Sequence, residues 1–297
     1  EFWLSMLGER RAGTVAVALT GDIAATDRVT LLHRHLPTDD ETAAQLWALG
    51  VTGTSAAKLA YKDTVWNAVT ISDTPTLTGF TQYQWDAQSL HAKLFFAYDS
   101  NVDRLHVWDG TSMRRTGLAE PAAPTSADTG AGTFSGTRYY RVRYTVQSGG
   151  VTLRRSEPSD VLTDAPSGTG SAIRVTKPAT INENETHWEL EASVDNANFY
   201  VIATTVVATT TYDDSTSIVT GYAATFPLSE DIGDYSLIPS GKFLVVDADR
   251  LVIGGSWEDG ALGSRVTWTP TRNAPGSGND ERLESDTDPS VDLDGYE

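Results

Sequence analysis

Residues 45–71, QLWALGVTGTSAAKLAYKDTVWNAVTI, and residues 93–118, KLFFAYDSNVDRLHVWDGTSMRRTGL, share one plan. Each reads as an apolar strand, a Gly/Ser/Asn/Asp turn, a second strand with an aromatic, an acidic turn and a short third strand. Leu46 aligns with Leu94, Lys58-Leu59 with Arg104-Leu105 and Asp63 with Asp109, an offset of 46 to 48 residues. A third, partial copy lies near the end. Residues 80–99, FTQYQWDAQSLHAKLFFAYD, and 240–259, SGKFLVVDADRLVIGGSWED, both read as strand, Asp-Ala turn, strand, Asp turn. SRVTWTPTR follows at 264–272, with Val266, Trp268 and Pro270 alternating. Four-stranded antiparallel units repeating every ~40–50 residues are the pattern of a β-propeller, because such a unit cannot bury its own face and needs a neighbour stacked on it. Three copies are too few to close a ring, which reads as an incomplete chain. The competing architecture is a plain β-sandwich whose hairpins happen to look alike.

Upstream lie two apolar stretches, GTVAVALTGD at 13–22 and RVTLLHRHL at 28–36. In the second, strand alternation puts Val29, Leu31 and His33 on one face and Thr30, Leu32 and Arg34 on the other. Thr38 and Glu41 fit a helix capping box with Gly50 as the stop. A turn at PTDD followed by a strand from Gln45 is favoured, since that strand recurs in the second unit.

The middle of the chain changes character. LAEPAAPTSADTGAGTFSG at 118–136 reads as a Pro-rich linker, with Pro121 and Pro124 breaking any strand. TRYYRVRYTVQSGGVTLRRSEPSDV at 137–161 alternates strictly. Tyr139, Arg141, Arg143 and Thr145 point one way, and Tyr140, Val142, Tyr144 and Val146 the other. Ser148-Gly149-Gly150 supplies the turn. Strands AIRVTKP, THWELEASVD and FYVIATTVV follow, then a Thr-rich run into YDDST. Short strands at this spacing over about 100 residues are the signature of an immunoglobulin-like sandwich.

RYYRVRYTVQSGG with SEPSD resembles the middle of a fibronectin type III domain, and THWELEASVDNANFYVIATT with TTTYDD resembles its last strands. The resemblance covers 119–220. It implies that Tyr140 and Trp188 lie in the core of a sandwich. The usual early-strand Trp is missing, which leaves the first strands open. The arrangement as a whole, in KLFFAYDSNVDRLHVWDG, PAAP, YYRVRYT with SEPSD, DRLVIGGSWE and the ending DPSVDLDGYE, is similar to a group of tailed-bacteriophage virion proteins. In these, β-propeller-like blades carry an inserted fibronectin-like domain, and tail nozzle proteins are the best-known members. The resemblance implies an all-β fold with propeller-like blades at 1–118 and 221–297 and an inserted sandwich at 119–220. It also implies identical subunits in a ring, commonly a hexamer, that contact neighbouring tail or adaptor proteins in the virion. Double-stranded DNA would pass through the ring during genome ejection without specific binding.

Composition narrows the field further. The chain has no cysteine, which excludes disulfides, thiolate zinc sites and a cysteine nucleophile. The formal charge of −18 argues against a broad basic face for nucleic acid. No apolar run approaches the ~20 residues of a membrane-spanning helix. EFWLSMLGER at the start carries acid ahead of any apolar core, so no signal peptide is expected, and the missing initiator Met reads as a fragment or a processed product.

Four sets of side chains carry candidate chemistry. His33 and His35, on one strand face with Arg34 between them, form half of a metal site and find no third ligand nearby. Asp286, Asp288, Asp292 and Asp294, with Gly295, offer oxygens to a hard cation but miss the spacing of an EF-hand loop. Glu183, Glu185, Glu189, Asp213 and Asp214 supply carboxylates for glycoside hydrolysis, with nothing to bring two of them to the ~5–10 Å that reaction needs. Trp66, Trp85, Trp108, Trp257 and Trp268 stack on sugars if exposed and are core if buried. The expectation is therefore no catalytic, cofactor or metal site, and a structural virion role. A lectin-like host-glycan binder stands as the alternative and a polysaccharide hydrolase behind it. The arginines of TRYYRVRY and LRRSEPSD are expected to be free for contacts between subunits.

Overall fold

The computed structural model describes residues 28–38, 41–51, 57–70, 86–97, 103–239, 241–256, 265–271, 281–282 and 290–292. Among them, strands form five antiparallel sheets, none closed into a barrel, and there is no α-helix. The chain divides into two compact units. The first combines Glu1–Arg115, Pro239–Thr267 and Ser290–Glu297, and the second Thr116–Ile238 and Trp268–Pro289.

In the first unit, β1 (Arg28–His35), β2 (Gln45–Val51), β3 (Ala57–Lys62) and β4 (Trp66–Val69) make one meander in chain order. The strand reading of 45–51 holds, and the region of the proposed capping box forms only a single 3-10 turn, Glu41–Ala43. A β-bulge between Val29 and Leu31 interrupts the expected alternation. Leu31 joins the main core, while Val29 goes with Leu32 against Ala48 and Ala60 on the other face, as an extra residue in one strand requires.

Strands β5 (Asp86–Leu90), β6 (Lys93–Ala97), β7 (His106–Trp108) and β8 (Met113–Arg115) repeat the meander. Asp86-Ala87, expected as a turn, lies inside β5; the turn is His91-Ala92, both at positive φ. A two-residue hairpin needs that left-handed geometry because it matches the twist of the flanking strands. The two meanders share a core built on Trp47, Leu49, Leu94, Phe96, Trp108 and Met113. Trp47 sits 5.1 Å from Tyr61, 5.3 Å from Trp108 and 5.6 Å from Phe96, centroid to centroid.

The repeated aspartate has a repeated job. Asp63 accepts the amides of Thr64 and Val65 (3.1 Å for Val65) in the β3–β4 turn. Asp109 accepts those of Thr111 (3.0 Å) and Ser112 (2.9 Å) in the β7–β8 turn. Both are Asx turns, in which the side chain replaces a backbone acceptor. The amides hold the Asp63 carboxyl below its usual range. At Asp109 burial pushes upward, but Ser112 and Arg114 outweigh it and the net shift is down.

The supposed linker lies within the second unit, which begins at Thr116, and carries its first strand. Strand β9 (Thr125–Thr129) starts directly after Pro124 and forms one edge of a three-stranded sheet, a position where a flanking proline is tolerated. Next come β10 (Arg138–Ser148), β11 (Val151–Arg155), β12 (Leu162–Asp164), β13 (Ala172–Thr176), β14 (His187–Ser193), β15 (Tyr200–Val206) and β16 (Thr211–Asp214). One sheet runs β11-β10-β14-β15 with β12 also on β10, and the other runs β16-β13-β9. Between β11 and β12 the SEPSD segment follows β10, where Ser156 Oγ accepts the Tyr144 amide and Ser159 Oγ that of Val142, each at 3.0 Å. Serine hydroxyls thus continue a ladder that Pro158 cannot join.

Tyr140, Val142, Tyr144, Trp188 and Leu190 from one sheet meet Ile173 and Val175 from the other in a single core. Tyr140 and Trp188 are fully buried. Trp188 Nε1–H donates to Thr209 O at 2.8 Å, so Trp188→Phe loses both a bond and volume. It is expected to destabilise this unit by about 1–3 kcal/mol, read from the urea midpoint of its hydrogen-exchange protection. Residues 221–238 belong here too. Tyr222 is buried, its hydroxyl donating to Asp214 at 2.5 Å, and Ser229 N–H donates to Phe199 O at 2.8 Å.

The chain then returns to the first unit as a third four-stranded sheet in chain order, β17 (Gly241–Asp247), β18 (Arg250–Ser256), β19 (Arg265–Trp268) and β20 (Ser290–Asp292). Its first hairpin turns at Ala248-Asp249, again at positive φ. Strand β17 packs against β5 and β6, and Leu244 N–H donates to Asp86 Oδ2 at 2.7 Å.

Candidate functional site

His33 and His35 converge on one hydroxyl. Ser89 Oγ lies 3.2 Å from His33 Nε2 and 2.9 Å from His35 Nδ1. A serine hydroxyl has one proton, so at least one of the two imidazoles must carry its own proton on the nitrogen facing Ser89. His35 is fully buried, and burial, helped by His33, lowers its pKa to about 4. Burial lowers His33 as well, against the pull of Asp86. Among the described residues no group of three His, Asp or Glu side chains is placed to hold a metal. Of the acidic C-terminal residues, Asp286, Asp288 and Asp294 lie outside the described residues, and Asp292 is placed only as a strand residue.

Trp108 is core, and Trp66 and Trp268 are half-buried. Trp85 and Trp257 lie outside the described residues. The five candidate carboxylates all have partners within the chain. Glu183 accepts the Ala119 amide at 2.9 Å. Glu185 gathers the amides of Ile181 (2.7 Å), Asn182 (3.2 Å) and Glu183 (2.8 Å). Asp213 forms an exposed two-point pair with Arg174 at 2.7 and 2.8 Å. Buried Asp214 accepts from Tyr140 at 2.7 Å as well as from Tyr222, and burial raises both tyrosines further above their ordinary range. Glu189 pairs with Arg155 at 2.6 Å; burial raises its carboxyl, with Arg155 pulling the other way.

Among the described residues, charge concentrates on the outer face of the five-stranded sheet, around Glu191, which is not among the carboxylates singled out from the sequence. Register sets Arg141 opposite Glu191 and Arg143 opposite Glu189 across β10 and β14. Glu191 is fully buried and accepts from Arg141, from Arg143 Nε at 2.8 Å, from Arg155 at 3.4 Å and from Ser229 Oγ. Arg143, equally buried, also donates to Ser156 O at 3.0 Å. The arginines expected to be free are therefore engaged inside the unit: Arg138, Arg141, Arg143 and Arg154 are buried, and Arg155 is paired with Glu189 and Glu230. A guanidinium facing its own carboxylate across a ladder has no reason to leave it. The signal was present in the sequence as two charge-alternating strands of opposite sign, R-V-R and E-L-E.

Beside this layer lies a cavity of 250 Å³ lined by Arg154, Arg155, Glu230, Tyr235, Glu281 and Arg282, among others. Glu191, filled by three guanidiniums and a hydroxyl, has no lone pair left for a substrate proton and braces the sheet. Compared with known proteins, the chain matches no family model, no curated protein and no solved structure.

Proposed function

We propose that the chain is a structural subunit of a bacteriophage virion, in the tail nozzle or neck, and forms part of the conduit for genome ejection. The observation that carries this reading is the chain order of the sheets. Two four-stranded meanders are followed by a separate two-sheet unit, and a third meander then returns to pack on the second. We read the meanders as propeller-like blades and the two-sheet unit as the fibronectin-like insert of the similar virion proteins. Charge supports the same reading. A conduit must release DNA, and an acidic surface gives phosphate no counterion-release gain for staying; the chain carries −18.

Mass photometry and electron microscopy of the purified chain test this. The expected result is a ring, commonly of six, whose bore is lined by Asp and Glu. A monomer at assembly concentrations, or a bore lined by Arg and Lys, overturns it.

A further inference from the structure

Residues 228–236 cross the outer face of the five-stranded sheet with their polarity reversed. Their aliphatic side chains face water, Leu228 at 62% and Ile232 at 73% exposure. Several of their polar groups reach the protein. Ser229 Oγ reaches Glu191, and the Glu230 carboxylate takes Arg155 at 2.6 Å together with the Tyr235 hydroxyl. The carbonyls of Glu230 and Asp231 accept from Arg143 at 3.0 and 3.3 Å, and that of Asp234 accepts from Arg282. Glu157 accepts the amides of Gly233 (3.0 Å) and Tyr235 (2.6 Å). The Tyr235 ring lies 5.2–5.7 Å from the guanidiniums of Arg282, Arg155 and Arg143.

Elements that stay down through global unfolding are held mainly by buried apolar area. Between its ends this segment contributes the half-buried Tyr235 ring and little else, with Ile232 at 73% exposure. It is pinned upstream by the Ser229 amide on Phe199 and downstream by buried Ile238. Its middle turns through Gly233, at φ +99°, where the Glu157 carboxylate holds the amide. What holds the segment is charge-assisted hydrogen bonding, of which the Arg155–Glu230 pair, with Glu230 half-exposed, is open to screening by salt.

We propose that residues 230–236 form a detachable strap. The strap leaves the sheet as one unit while the two-sheet core beneath it stays folded. Because Glu230 and Tyr235 are walls of the 250 Å³ cavity, the strap is also that cavity's lid, and its departure opens the Arg155–Glu191 layer to solvent.

Hydrogen exchange read by mass spectrometry on the full chain tests the proposal, in 20 mM and in 1 M sodium chloride. The expected result is at least ~10-fold faster exchange over 230–236 at high salt, with β10 and β14 unchanged, consistent with sub-global opening. Glu157→Gln is expected to reproduce the acceleration at low salt, because it removes the charge that holds two strap amides. The proposal is overturned if the strap exchanges only at the rate of β14, if neither salt nor Glu157→Gln alters its protection, or if Glu157→Gln releases the core together with the strap.

Discussion

Glu191→Ala is expected to destabilise the two-sheet unit by about 3–5 kcal/mol, the cost of breaking a buried ion pair from one side. The substitution leaves Arg141 and Arg143, at 7% and 0% side-chain exposure, without the carboxylate they share. Arg143 keeps its carbonyl partners Ser156, Glu230 and Asp231 and the Glu157 carboxylate at 4.0 Å, yet its Nε loses the carboxylate it donates to. Ser229 loses its acceptor in the same step. A domain of this size is stable by about 5–15 kcal/mol in all, so the loss takes a large share of the total. Glu191→Gln keeps an acceptor oxygen and is expected to cost less than Ala. Urea melts followed by peptide-resolved exchange over β10 and β14 measure both variants. Equal midpoints for Glu191→Ala and the parent chain would show that the guanidiniums find water, and the buried layer described here would be wrong.

The same residues show what the sequence disclosed and what it withheld. Alternation in TRYYRVRYT separated Tyr140, Val142 and Tyr144 from Arg141 and Arg143 correctly, because strand geometry imposes a period of two whatever lies outside. It did not say what covers the charged face. A charged stripe ordinarily means solvent, and here it means a second buried layer, because a segment more than 80 residues downstream supplies Ser229 and Glu230. Cross-strand register was equally hidden, since Arg141 meets Glu191 only once β10 and β14 are paired. The meanders were more accessible. Asp63 and Asp109 mark turns through local chemistry, so their likeness survives in one dimension. Asp86-Ala87 misled because an Asp-Ala pair is also compatible with a strand, and the real turn at His91-Ala92 carries no Gly or Asn to announce it. The His33–Ser89–His35 contact joins β1 to β5 across more than 50 residues, and no local pattern encodes it.

Acidification is expected to open the meander unit before the two-sheet unit. His35 and His106 are both fully buried, and burial lowers them to about 4 and about 3. At His106 the nearby Arg115 adds to the effect, while Nδ1 sits 3.0 Å from Arg104 O. A histidine lowered in the folded state binds its proton more readily when unfolded, so its contribution is intact above about pH 6.5 and is lost as pH falls toward the folded value. Each histidine costs about 1.4 kcal/mol per pH unit across that window. At pH 4 the loss is about 3–6 kcal/mol, the lower figure counting His106 alone. In the two-sheet unit the carboxylates held low, Glu230 among them, lose their contribution only as pH falls below about 4.5, the ordinary carboxyl range. Glu189 works in the opposite sense. Its carboxyl is raised, so protonation on acidification favours the folded state. Between pH 6.5 and 4.5 the titrations therefore weaken one unit and spare the other. Hydrogen exchange corrected for intrinsic rate should show β1, β5 and β7 losing protection in that range while β10 and β14 keep theirs. His106→Gln removes the larger lowered group and should shift the transition to lower pH, provided the amide keeps the contact to Arg104 O. Simultaneous loss in both units at a single pH would mean that they unfold together, and it would assign acid sensitivity to the carboxylates instead of the histidines.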